Sequence, residues 1–256
     1  MKKWIEITAF LVVIAGLSGC SNRSQAKSEP LDEKAQIQYQ FASEAYEKGD
    51  LIPALSSTLE ALKTSPHNPE AKNLLGLIYF RQRKYAEAEQ AFLGAIASDS
   101  HRSEFHNNLG TLYYEMKAYD KALKSLQQAL VNPLYMYPER IHNNLGLVNE
   151  ALGRLEEAKS NYLESIRLRK DFYLPYQNLG KLYLDEGNKE RAKVMLSEAV
   201  KNCVDCAEPR YHLGILLKEK SLTEAMKLFK QGAQLDPNGY YGRLCRDNLT
   251  MNSENR

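Results

Sequence analysis

The chain has 256 residues, 43% of them hydrophobic and 26% charged, a composition that can bury a sizeable core and excludes disorder throughout. Lys and Arg together exceed Asp and Glu by two; leaving out Lys2, Lys3 and Glu6, which fall in a segment of targeting character, the same count gives +1. So near-neutral a balance carries no electrostatic footprint for nucleic acid.

The N-terminus reads MKKWIEITAFLVVIAGLSGC. A basic start, an apolar run from Ile5 to Leu17 and small residues behind it make a secretory signal over residues 1–19, too short for a stable membrane span. Leu17-Ser18-Gly19-Cys20 resembles the bacterial lipobox. The resemblance implies diacylation of the Cys20 thiol, palmitate included, and cleavage before Cys20, which becomes the first mature residue. With Ser21 rather than Asp next, it also implies an outer-membrane address facing the periplasm. Several acyl chains anchor stably, each buried CH₂ contributing about 0.8 kcal/mol, so the expected protein is attached to a membrane without crossing it. A plain signal peptide with a chance cysteine is the alternative. Residues 21–35, SNRSQAKSEPLDEKA, are polar and without apolar period; with Cys20 they form the expected tether, residues 20–35.

From residue 36 to 238 the chain repeats itself. Aligned on one small residue, the copies fall at Ala42, Gly76, Gly110, Gly146, Gly180 and Gly214, at intervals of 34, 34, 36, 34 and 34. A second small residue follows at Ala54, Ala88, Ala122, Ala158, Ala192 and Ala225, then Thr58, Phe92, Leu126, Tyr162, Leu196 and Phe229, then Ala61, Ala95, Ala129, Ser165, Ala199 and Gly232. Two helices of about 13 residues that cross closely need small residues at the contact and large ones between layers. Gly49, Gly153 and Gly187 fall where the turn between them needs a left-handed residue. The pattern resembles the tetratricopeptide repeat family. The implied fold is all-α, a right-handed superhelical solenoid of six helix-turn-helix repeats whose concave groove is lined mainly by the first helix of each pair.

Within the copies, amides recur that the helix crossing does not require: Asn73, Asn107, Asn143 and Gln177 three residues before the small position, and Asn108, Asn144 and Asn178 two before it. Asparagine is a mediocre helix former. A side-chain amide offers donors and an acceptor to an extended peptide backbone, so a ladder of them on the concave face is a candidate peptide grip, as in other peptide-binding arrays of this family. The other reading ties neighbouring helices together through these amides, since polar groups in a buried seam must be paired. The same spacing adds Leu77, Phe80, Thr111, Tyr114, Leu147, Lys181 and Leu184 to the expected groove.

The one longer interval holds two extra residues within ALVNPLYMYPER, 129–140. Pro133 and Pro138 interrupt the helices there, leaving a loop that bears Leu134, Tyr135, Met136 and Tyr137. It is either a contact point or a cover folded back on the array. A lipobox near residue 20, six units and NPLY after the third resemble the pilotin lipoproteins of type IV pilus systems. That resemblance implies an outer-membrane lipoprotein that binds subunits of the secretin, the pore through which the pilus leaves, and promotes their localisation and multimerisation in pilus biogenesis and twitching motility.

Cys203-Val204-Asp205-Cys206 lies between units five and six and Cys245 beyond unit six. In an oxidising compartment a disulfide is expected; it closes either within the first pair or from one of them to Cys245. The segment 239–256 is read as a short capping helix ending in a polar, frayed tail.

His67, His101, His106, His142 and His212 are scattered, two of them at equivalent repeat positions, and no nucleophile elbow, phosphate loop or zinc-protease motif is present. The expectation is a non-enzymatic protein-binding scaffold with no metal, no cofactor and no small-molecule substrate. Besides the secretin assembly factor, two roles stay open: an adaptor for cell-envelope enzymes such as peptidoglycan hydrolases or proteases, and a subunit of the β-barrel insertion machinery.

Overall fold

The computed structural model describes residues 33–253; the signal segment, Cys20 and most of the tether lie outside them. Thirteen helices follow one another among the described residues. They pair as α1 Glu33–Lys48 with α2 Leu51–Thr64, α3 Pro69–Arg81 with α4 Tyr85–Ser98, and α5 Ser103–Glu115 with α6 Tyr119–Ala129. Then come α7 Pro138–Ala151 with α8 Leu155–Leu168, α9 Tyr173–Asp185 with α10 Lys189–Asn202, α11 Ala207–Leu217 with α12 Leu222–Leu235, and the unpaired α13 Tyr240–Ser253. The chain is an all-α solenoid. No helix among the described residues is long and apolar enough to cross a membrane.

Local chemistry sets the helix ends. Pro69 and Pro138 stand at the first position of α3 and α7, where their missing N–H is not needed. Asn68 caps α3 by accepting from the Ala71 N–H at 2.7 Å. In each of the first five units the first helix closes on a left-handed residue: Gly49, Gly153 and Gly187 with φ of 85°, 73° and 75°, and Arg83 and Lys117 with φ of 59°. The bonds Arg83 N–H to Phe80 and Lys84 N–H to Tyr79 are those of a Schellman turn, repeated around Lys117, Gly153 and Gly187. The sixth unit, one residue shorter here, ends without a left-handed residue, and Ser221 is extended at φ −149°.

Each pair crosses where the glycines stand. A Cβ on Gly76, Gly110, Gly146, Gly180 or Gly214 would come within 3.0 Å of Phe92, Leu126, Tyr162, Leu196 or Phe229 respectively, and those five side chains are fully buried. Unit one has Ala42 in place of glycine and, sixteen residues on, Thr58 in place of the large residue; both are fully buried. The methyl gained on one helix is matched by volume removed from the other, which close packing requires.

Successive first helices touch one another, α1 with α3, α3 with α5, α5 with α7 and α7 with α9, whereas successive second helices have no comparable contacts. The array therefore bends with its first helices on the inside. Its two ends differ. Ile37 and Phe41 of α1 stand 42% and 57% exposed, at the register occupied by buried Phe105 and Leu109 in unit three and by Ile141 and Leu145 in unit four; among the described residues no earlier unit covers them. At the other end α13, a full 14 residues where a short cap with a frayed end was expected, runs through Met251 and packs on α12 and α11. Its Cys245 is fully buried, with Sγ seated where Gly232 has no side chain.

Candidate protein-binding surface

The amides expected to line the groove form a ladder within the array. Asn108 Nδ2 donates to Asn73 Oδ1 at 3.0 Å, Asn144 Nδ2 to Asn107 Oδ1 at 3.0 Å, and Asn178 Nδ2 to Asn143 Oδ1 at 3.0 Å. Each rung joins the residue two before the small position of one unit to the residue three before it in the preceding unit. Asn144 also reaches Thr111 Oγ1 at 3.3 Å. Asn73, Asn143, Gln177 and Asn178 are buried, while Asn107, Asn108 and Asn144 are half-buried. In this structure the inter-helix reading of the amides is the one realised for all three rungs.

By register the next rung would run from His212 to Gln177. There the Gln177 Oε1 and His212 Nε2 atoms are buried without a hydrogen-bond partner. The α9–α11 junction is held differently: Lys181 Nζ donates to Glu208 Oε1 at 3.1 Å, and the Tyr241 hydroxyl of α13 donates to the same oxygen at 2.8 Å. Lys181 thus spends its charge on an internal ion pair. Burial works against the Glu208 carboxylate, yet the His212 ring beside it, the hydrogen bond from Tyr241 and the Lys181 ammonium hold its pKa down at about 2.

The rest of the expected groove, Leu77, Phe80, Thr111, Tyr114, Leu147 and Leu184, is half-buried. Phe80 stacks near Tyr85 with ring centroids 6.1 Å apart, and Tyr114 near Tyr119 at 5.9 Å, the same pair one unit later. Burial raises the Tyr114 hydroxyl, with Glu150 adding to the effect, so this strip presents neutral aromatic and aliphatic surface across the physiological range.

The 130–137 loop divides its side chains. Asn132 Oδ1 accepts from the Leu134 N–H at 3.0 Å, an Asx turn that shapes the bend. Tyr135 folds back against the core around Ile141 and Leu145, whereas Leu134 and Met136 stand 86% and 77% exposed. The loop is cover and exposed tip at once. Its inner side, together with Asn107 and Asn108 of α5, encloses a cavity of about 360 Å³, so the two regions singled out separately in the sequence meet in one place. Arg102, Ser103 and Arg140 also line it and were not picked out from the sequence. Arg140 alone left a signal, closing the 129–140 stretch that holds the insertion.

A disulfide joins Cys203 to Cys206, and Cys245 is a free, buried thiol. Burial pushes that thiol up to about 11, with Asp236 adding to the shift. Arg210 secures the disulfide loop by donating to the carbonyl oxygens of Cys203, Val204 and Cys206 at 2.9, 2.8 and 2.6 Å.

Tetratricopeptide repeat models match residues 39–103, 107–168 and 175–202, and the chain belongs to the tetratricopeptide repeat family, whose arrays are protein-interaction scaffolds. Among solved structures it is similar to the PilF protein of Pseudomonas aeruginosa, at 22% identity and TM-score 0.71, over 85% of this chain and 99% of that one. It is likewise similar to PilW, described as a widely conserved type IV pilus biogenesis factor, at 21% identity and TM-score 0.72, with the same coverage. MamA follows at 24% identity and TM-score 0.54, over 66% of this chain and 92% of that one. At these identities the likeness establishes the fold. No curated protein matches the chain significantly.

Proposed function

We propose that this chain is a lipoprotein of the outer membrane, anchored through Cys20 and facing the periplasm, that binds secretin subunits and promotes their localisation and multimerisation during type IV pilus biogenesis. The observation that carries the reading is the correspondence with PilF and PilW, 99% of each of those two chains being matched by 85% of this one: the arrays agree in extent as well as in repeat. The lipobox resemblance at Leu17–Cys20 supports the same compartment. Chemically the protein works by binding. A half-buried apolar strip and an exposed loop offer surface to a partner chain, and the amide ladder holds the helices that carry them in register.

The test is an unboiled detergent gel of outer membranes from a strain lacking the gene, probed for secretin. Loss of the heat-resistant multimer with monomer still present, restored by the gene, supports the role. An unchanged multimer overturns it and directs attention to crosslinked pull-down of envelope enzymes.

A further inference from the structure

Where α5, α7 and the 130–137 loop meet, the 360 Å³ cavity is lined by two kinds of surface. One kind is apolar and aromatic: the rings of Tyr135 and Tyr137 meet edge to face at 6.0 Å, with Met136 at the rim. The other is polar and incompletely satisfied. Ser103 is 3% exposed, and its buried Oγ has no hydrogen-bond partner; in a protein interior such a hydroxyl is normally paired. Arg140 lies with its guanidinium 5.0 Å from the Tyr137 ring centroid, and among the described residues no carboxylate pairs with it. Arg102, by contrast, is already bonded to Glu70, with Asp99 at 3.7 Å. One negative group, Glu104, also lines the cavity.

We propose that this cavity is a docking socket for an extended segment of a partner chain that carries an aspartate or glutamate next to a bulky apolar side chain. The carboxylate lies against Arg140, whose guanidinium is held in orientation by the Tyr137 face. The apolar neighbour enters between Tyr135, Tyr137 and Met136. A backbone carbonyl of the segment accepts from the Ser103 hydroxyl. Among the described residues the lining offers one cation, Arg140, and one anion, Glu104, without an ion pair. Arg140 is the one that lies against an aromatic ring, so a carboxylate beside an apolar side chain meets cation and rings together, and a basic segment would leave Arg140 facing like charge. Glu104 sets the sense of a control, because removing its charge strengthens the hold on an acidic segment. Naming the partner as secretin rests on the function proposed above; the chemistry of the socket does not.

The experiment places a photocrosslinking amino acid at Met136 in the full-length protein in cells that make secretin, with a second version at Phe80 in the concave strip. Met136 is expected to capture one secretin segment, with an Asp or Glu within two or three residues of the crosslink by mass spectrometry. Arg140→Gln is expected to lower that capture by about tenfold or more, the scale of one hydrogen bond to a charged group, and Glu104→Gln to raise it. Thermal melts of both variants, each changed at an exposed position, check that they fold. Capture at Phe80 without capture at Met136 overturns the socket while leaving the secretin role intact. Capture at Met136 of a segment without an acid, or unaffected by Arg140→Gln, also overturns it. Capture at neither position overturns it too, and the multimer gel then decides the secretin role separately.

Discussion

Asn178 donates through its side-chain amide to Asn143 Oδ1 at 3.0 Å, from 9% exposure to 3%, linking α9 to α7 across two units. The same bond between Asn108 and Asn73 and between Asn144 and Asn107 makes three rungs in series. In a solenoid, where each unit contacts mainly its neighbours, such rungs add to the coupling between units.

Asn143→Ala is therefore expected to leave the Asn178 amide without its acceptor and to cost about 1–3 kcal/mol. Asn178→Ala should cost a similar amount, and the double variant less than the sum, by about 1 kcal/mol of coupling. Urea unfolding of the four proteins measures it. Additivity to within a few tenths would show that the rung contributes no coupling between units.

The solenoid could be read from the sequence because its geometry is local. A 34-residue period, small residues at Gly76 or Gly110 and large ones sixteen positions on state a helix crossing directly. The fate of the asparagines could not be read from one copy. In a single unit Asn143 and Asn144 both point to the inner face; only with two units superposed does the residue two before the glycine meet the residue three before it in the previous unit. Their side-by-side recurrence in units three and four was the available signal. Lys181 shows the same limit, since its partner Glu208 lies in the next unit.

Gly110→Ala should cost about 1–3 kcal/mol, because the new methyl would overlap Leu126. Unit one supplies the remedy in Ala42 with Thr58. In a Leu126→Thr background the added cost of Gly110→Ala is expected to fall by at least about 0.5 kcal/mol. An equal cost in both backgrounds would deny that the two positions share one volume.

Arg83 and Lys117 hold the left-handed turn that glycine holds in three other units. For a residue with a side chain this conformation costs about 1–2 kcal/mol, against about 0.5–1 kcal/mol for the extra freedom of glycine in the unfolded chain. Arg83→Gly and Lys117→Gly are each expected to stabilise by about 0.5–1 kcal/mol, and Gly153→Ala to destabilise by about 1 kcal/mol. Melting temperatures that move the other way would refute the strain.

Glu208 joins α9, α11 and α13 through Lys181, His212 and Tyr241, with His212 Nε2 at 3.7 Å. Its folded pKa of about 2 lies below the ordinary 4.5, so the folded state favours the ionised form. The stabilisation is complete above 4.5 and is lost as the pH falls from 4.5 through about 2, where the folded form too takes up the proton. Because the group is partly open to solvent, the share assigned to it is about 1 kcal/mol, well under the full shift. Glu208→Gln should therefore flatten the decline of urea midpoint between pH 4.5 and 2 while lowering stability at pH 7. An acid profile of the variant parallel to that of the parent protein would place the acid sensitivity in other carboxylates and leave Glu208 without this role.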